Sequence, residues 1–208
     1  MMVTILNIIT TVCLIIMCGT SSSSLSFGVE APRVVRVAPV GEVQKELLSR
    51  LADSLREDLG VVVQLGPRME VPAHAYKARR NQYFSTEILR KMNEMKPGGK
   101  LYLLGVTEVD LYVPTLNFVL GEALPFKNVA IISLHRLREE FYKRTSDESL
   151  LRKRMLTEAV HELGHLWGMR HCPNPDCVMF FSNTLVDTDR KSSGFCDKCK
   201  VIFERRGG

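Results

Sequence analysis

Apolar positions along the chain follow two alternating periods. Residues 34–40 form a dense β-branched run closed by Gly41, which predicts a strand. From residue 43 to 59 the apolar positions Val43, Leu47, Leu48, Leu51, Leu55 and Leu59 recur at helical spacing with charges between them, and Gly60 closes that helix. Residues 61–65 predict a second strand. Residues 66–84 show neither period, contain two prolines and several basic side chains, and predict a loop. Ser85 or Thr86 then caps a helix running to about Met95, stopped at Pro97-Gly98-Gly99, and residues 100–106 predict a third strand. Residues 107–127 hold Pro114, Gly121 and Pro125 between short apolar runs and predict no helix. Residues 128–134 form a further strand and residues 137–143 a short helix. A long helix starts at Asp147 or Ser149 and carries Leu151, Met155 and Ala159. This alternation of strand and helix predicts an α/β fold, with helices packed on a mostly parallel, twisted sheet.

The same long helix leads into His161-Glu162-Leu163-Gly164-His165-Leu166-Trp167-Gly168-Met169-Arg170-His171-Cys172. Helical residues four apart differ by about 40° around the axis and about 6 Å along it, so His161 and His165 project from one face and reach one ion. On a continuous helix His171 would lie about 15 Å from His161 along the axis. The chain must therefore turn back, and Gly168 stands where a helix can end with positive φ. Glu162 sits beside the first histidine, placed to act as general base on a zinc-bound water. The full pattern H-E-x-x-H-x-x-G-x-x-H resembles the metzincin zinc peptidases. The competing readings are ordinary helix histidines, or a metal site without chemistry.

Four cysteines follow as two clips, Cys172-x4-Cys177 and Cys196-x2-Cys199, with eighteen residues between them. Two such clips make a closed four-sulfur zinc site, which is structural because no coordination position stays open. Two disulfides and a zinc-ribbon-like nucleic-acid module are the alternatives. Residues 182–195 hold two acids and two bases and no aromatic stacking run, which disfavours the module. The cysteines, the Cys177-Val178-Met179 step, and the stretches 80–83 and 110–123 together resemble the archaemetzincin family over roughly residues 33–203. The resemblance implies a zincin-like fold and zinc-dependent peptide hydrolysis. It also implies a methionine beneath the histidines, matched by Met179, and a sheet-edge strand above the cleft, for which residues 116–120 are the candidate. An extended peptide or protein substrate would bind along that edge.

Two zinc ions are thus expected: a catalytic one on His161, His165 and His171, and a structural one on Cys172, Cys177, Cys196 and Cys199. Tyr112 is a speculative oxyanion donor. His74 and His135 lack partners at ligand spacing and read as non-ligands. The competing function is a zinc-stabilised peptide-binding module with little hydrolysis; Glu162 argues against it, since binding alone needs no base there.

Composition changes this picture little. A chain of 208 residues suits one domain spanning 33–208, with a small zinc-clipped C-terminal subdomain from about 171. Net charge of +5 is mild and gives no reason to expect a nucleic-acid partner. The basic groups at 77–80, 152–154 and 205–206 read as solvated faces and a tail. Residues 1–29 carry no charged side chain, and 1–32 reads either as an export leader or as a misassigned start. Export or membrane attachment follows only from the first reading, a cytoplasmic location from the second. Cys13 and Cys18 lie in that stretch, which leaves no cysteine placed to latch the zinc.

Overall fold

The computed structural model describes residues 32–206; the leader-like stretch falls outside these, apart from its last residue. Thirteen elements follow in chain order among the described residues: β1 (Val34–Val40), α1 (Lys45–Leu59), β2 (Val62–Leu65), β3 (Tyr76–Lys77), β4 (Gln82–Phe84), α2 (Ser85–Met95), β5 (Leu101–Thr107), β6 (Leu111–Tyr112), β7 (Gly121–Leu124), β8 (Val129–Ser133), α3 (Glu148–Leu166), α4 (Leu185–Arg190) and α5 (Asp197–Arg206). No helix of the described residues is long and apolar enough to cross a membrane.

The main sheet runs β2-β1-β5-β8-β7, parallel except for β7, which pairs antiparallel with β8. Alternate strand residues feed two cores. Val35, Val37, Leu104, Val106 and Ile132 pack with α1 and α3 on one face. Ala38, Val40, Leu103 and Ile131 pack with Ile88, Leu89 and Met92 of α2 on the other. Coverage of both faces is why β1, β5 and β8 are nearly continuous apolar runs. Helix α1 ends at Gly60, whose φ of 63° a side chain would strain.

Several expectations need correction. Residues 66–84 are not all loop: β3 and β4 form a small hairpin, and β4 pairs in parallel with β6 in a second, three-stranded sheet. Strands of two and three residues are too short for periodicity to reveal. Neither Ser85 nor Thr86 caps α2. The cap residue is Phe84, without a side-chain bond, and both hydroxyls donate instead to the carboxylate of Glu122 on β7. The sheet edge is β7, not residues 116–120, which form a turn and one bridge between Val119 and Leu111. The proline-flanked turn delays pairing with β8 until Gly121. The short helix at 137–143 is a 3-10 turn, Glu139–Tyr142. Arg154, read as solvated, is buried. It forms a two-pronged pair with Asp189 at 2.6 and 2.7 Å and an ion pair with Glu139 at 2.7 Å.

Candidate metal centre and cleft

Helix α3 starts at Asp147, whose carboxylate accepts from the Leu150 amide at 2.9 Å, the expected cap. Its buried residues fall on every side, because the sheet lies against one face and the segment 177–191 against another. The helix stops after Leu166. Gly168 takes φ 78°, its amide bonds His165 O at 2.9 Å, and the Met169 amide bonds Gly164 O at 2.9 Å. This paired closure turns the chain back on itself. The Cys172 amide then bonds Met179 O at 2.8 Å, which sets His171 over the helix it has just left.

Three imidazoles converge as a result. His165 Nε2 lies 3.1 Å from His161 Nε2 and 3.2 Å from His171 Nε2. His161 Nδ1 faces Val178 O at 2.7 Å, and His165 Nδ1 faces Met169 O at 2.9 Å. A carbonyl only accepts, so in both rings Nδ1 carries the proton and Nε2 turns a lone pair inward. Tetrahedral zinc with bonds of about 2.0–2.1 Å would separate its nitrogens by about 3.3 Å, close to the spacing found. Burial lowers the pKa of all three rings, His161 furthest, and the charge of Lys191 adds to this, so they are neutral at neutral pH.

The four cysteine sulfurs gather within 4.8 Å of one another, Cys172 and Cys196 at 3.8 Å, and no disulfide joins them. Zinc–sulfur bonds of about 2.3 Å in a tetrahedron place sulfurs about 3.8 Å apart, so this set also fits the ion. Cys196 stands at the head of α5, where the Cys199 amide brings its thiol down to about 7, toward the thiolate a metal requires. Burial pushes the Cys177 and Cys199 thiols up.

Beside the histidines lies a cavity of about 200 Å³. Residues 116–121 wall it on one side and Phe181, Ser182 and Asn183 on the other, with Glu158, His161 and Glu162 at its floor. Glu162 is buried there. Desolvation pushes its carboxyl well above the usual range, Glu158 and Glu122 add to the rise, and Lys191 opposes it. Met179 is wholly buried and its sulfur occupies the place a side chain on Gly164 would need, so the methionine lies against the histidine-bearing helix as the family resemblance implied.

Tyr112 does not line the cavity. Its ring packs under the Arg80 guanidinium at 4.3 Å and against Phe84 at 5.6 Å. His74 stands 3.8 Å from Glu87 and His135 packs on Phe141, and neither joins a metal-competent group among the described residues. Sequence reasoning missed the layer behind the cavity. Lys191 Nζ lies 3.1 Å from Glu158 Oε1, and Thr188 donates to the same oxygen at 2.9 Å. It also missed the stretch at 80–82 as a brace. Arg80 donates to Leu116 O and Asn117 O at 3.1 and 2.9 Å, and Gln82 to Asn117 O at 3.0 Å, so the cavity wall is pinned from behind. Their signal was present only as family resemblance.

Lone pairs that face one another at 3.1 Å repel unless a cation lies between them. Three nitrogens that converge in this way suit the zinc of a metallopeptidase, and by its relatives this chain is a zinc metallopeptidase. The pattern of Peptidase family M54 matches residues 38–205. The chain is 44% identical over 181 residues to archaemetzincin of Pyrococcus furiosus, covering 84% of this chain and 94% of the relative. Two solved structures share the fold at 33% identity. A zinc-dependent peptidase from Methanocorpusculum labreanum matches with TM-score 0.76, over 81% of this chain and 99% of that one. Archaemetzincin from Methanopyrus kandleri matches with TM-score 0.74, over 84% and 95%. The chain belongs to the archaemetzincins, peptidase family M54.

Proposed function

We propose that the chain hydrolyses peptide bonds with zinc on His161, His165 and His171 and with Glu162 as general base. Zinc bound there supplies a Lewis acid that acidifies water and polarises a carbonyl. Glu162 takes the proton of the attacking water and passes it to the leaving amine. Its carboxylate lines the cavity beside His161, where such a water would enter, and that placement supports the role. The observation that carries the reading is the convergence of three inward-facing Nε2 atoms beside Glu162 at the floor of an open cavity. Cys172, Cys177, Cys196 and Cys199 hold a second, structural zinc that fixes the returning segment of a small C-terminal subdomain. Substrate lies extended along the wall that leads into β7, the outermost strand of the main sheet, whose outer edge pairs with no other strand among the described residues and suits β-addition.

Cleavage of a defined peptide library tests this. Hydrolysis should vanish on chelation and return with zinc. Glu162→Gln should abolish turnover while zinc content and fold persist, because the carboxamide keeps the shape and cannot take the proton. Retention of most activity by that variant would assign the base to another group, and saturable zinc-dependent binding without cleavage would make the protein a binder.

A further inference from the structure

On the reading that the cleft holds peptide beside zinc, we propose that its cavity is a side-chain pocket tuned by Glu158. It accepts a residue flanking the scissile bond whose tip donates hydrogen bonds, a carboxamide, ammonium or guanidinium, and discriminates against apolar and acidic tips.

Glu158 lies one helical turn before Glu162 on α3, about 6 Å further along the axis, a depth suited to one extended side chain. It belongs to the cavity lining, whereas Lys191 does not. An entering group therefore meets the carboxylate, while the ammonium behind supplies the counter-charge that a buried carboxylate needs. Both contacts that hold Glu158, from Thr188 and from Lys191, fall on Oε1. Among the described residues no hydrogen bond falls on Oε2. In the opposite wall the Ser182 hydroxyl is buried and likewise unpartnered. A donor-tipped side chain satisfies the carboxylate oxygen, and a carboxamide can engage the hydroxyl as well. An apolar tip of the same length leaves both unpaired, the situation in which a polar site rejects an apolar analogue strongly. A carboxylate tip would face Glu158 and Glu162 together at close range.

Lys191 ties this floor to the zinc site. Its ammonium reaches Phe180 O at 3.4 Å, next to Met179, and Thr188 belongs to α4, the helix that Arg154 also grips through Asp189. The pair is therefore a specificity device and a fastening between α3 and the cavity wall. The test must separate the two roles.

The experiment uses zinc-loaded full-length protein and peptides identical except at the residues flanking the scissile bond, where Gln, Lys, Met or Glu is placed in turn. The expected kcat/KM order is Gln and Lys above Met by at least about tenfold, with Glu lowest. Ser182→Ala, which threatens no buried charge, should lower the Gln-to-Met ratio. Glu158→Leu combined with Lys191→Met removes carboxylate and counter-ion together, so that no orphan charge is left, and should put Met above Gln and Lys. Met or Glu peptides cut as fast as Gln and Lys, with ratios unmoved by Ser182→Ala, would overturn the pocket assignment and leave zinc hydrolysis standing. An unchanged order in a folded double variant would reduce the pair to a fastening. Cleavage of none of the peptides would overturn both readings.

Discussion

Gly121→Ala places a methyl group against Glu162 and leaves the three histidines unchanged. A Cβ built on Gly121 would lie 2.6 Å from Glu162 Oε1, 2.7 Å from Cγ and 2.8 Å from Cδ. Gly121 needs no positive φ, so the backbone itself tolerates alanine. Ordinary contact begins near 3.4 Å, so the carboxylate or the strand must give way by about 0.8 Å. The strand is the stiffer partner: β7 is laddered to β8, and Glu122 is tied to Ser85 and Thr86 at the head of α2. The carboxylate therefore moves. Misplacement of about 1 Å can cost on the order of a hundredfold, so kcat should fall between about tenfold and a hundredfold. KM and zinc content should change little. Steady-state kinetics on an internally quenched peptide, with zinc measured on the same samples, gives the split. Glu162→Asp, one methylene shorter, retreats from the same space, so adding Gly121→Ala to it should cost much less than in the parent. A Gly121→Ala protein with full zinc and kcat within about twofold of the parent would refute both the contact and the placement of the base.

Other outcomes follow from the two donor sets and the buried charges. Elemental analysis of protein purified without added metal should give close to two zinc per chain; one zinc with all four C-terminal cysteines oxidised would remove the structural site. Cys172→Ser should weaken both ions, since Cys172 is one peptide bond from His171; stepwise chelation that shows one zinc lost and the other held as tightly, with normal turnover, would make the sites independent. Arg154→Ala strands Asp189 and Glu139 and should destabilise by about 3–5 kcal/mol in denaturant unfolding, whereas a loss below about 1 kcal/mol would show the pair to be dispensable. In zinc-free protein, burial holds the three histidines below 6.5 in the folded state, so the unfolded chain takes up protons first as pH falls. Stability should therefore decline on acidification from about pH 6.5, and His161→Gln should flatten that slope; a slope equal to the parent's would contradict the burial argument.

What could be read from the sequence follows the range of the interactions. Strands β1, β5 and β8 announced themselves because both faces are covered and each run is long enough to carry a pattern. The hairpin of Tyr76–Lys77 and Gln82–Phe84 did not, because its strands are too short to carry a pattern and the third strand of its sheet, Leu111–Tyr112, lies far along the chain. The meeting of His161 with His165 is local geometry, and Gly168 signalled the turn that returns His171. Arg154, Glu158 and Lys191 look like surface charges by type. Partners fifteen or more residues away, Glu139 and Asp189 for Arg154 and Thr188 and Lys191 for Glu158, hold these charges inside, and no local period encodes them. Gly121 carries no chemical signal at all, since its contribution is the volume it leaves to Glu162.

The path of the chain from Gly168 through Met179 to Cys199 also sets a timetable. Synthesis delivers α3, with His161 and His165 in place, before the segment that carries Val178 O to His161 and before the cysteines at 196 and 199. At about 5–20 residues per second, the thirty-odd residues between His165 and Cys199 take roughly 2–7 s to appear. During that interval the third imidazole is not yet fixed above the other two, and the wall of Phe181, Ser182 and Asn183 is not yet in place. The histidine cluster and the cavity wall are thus complete only once the last segment of the chain has been made.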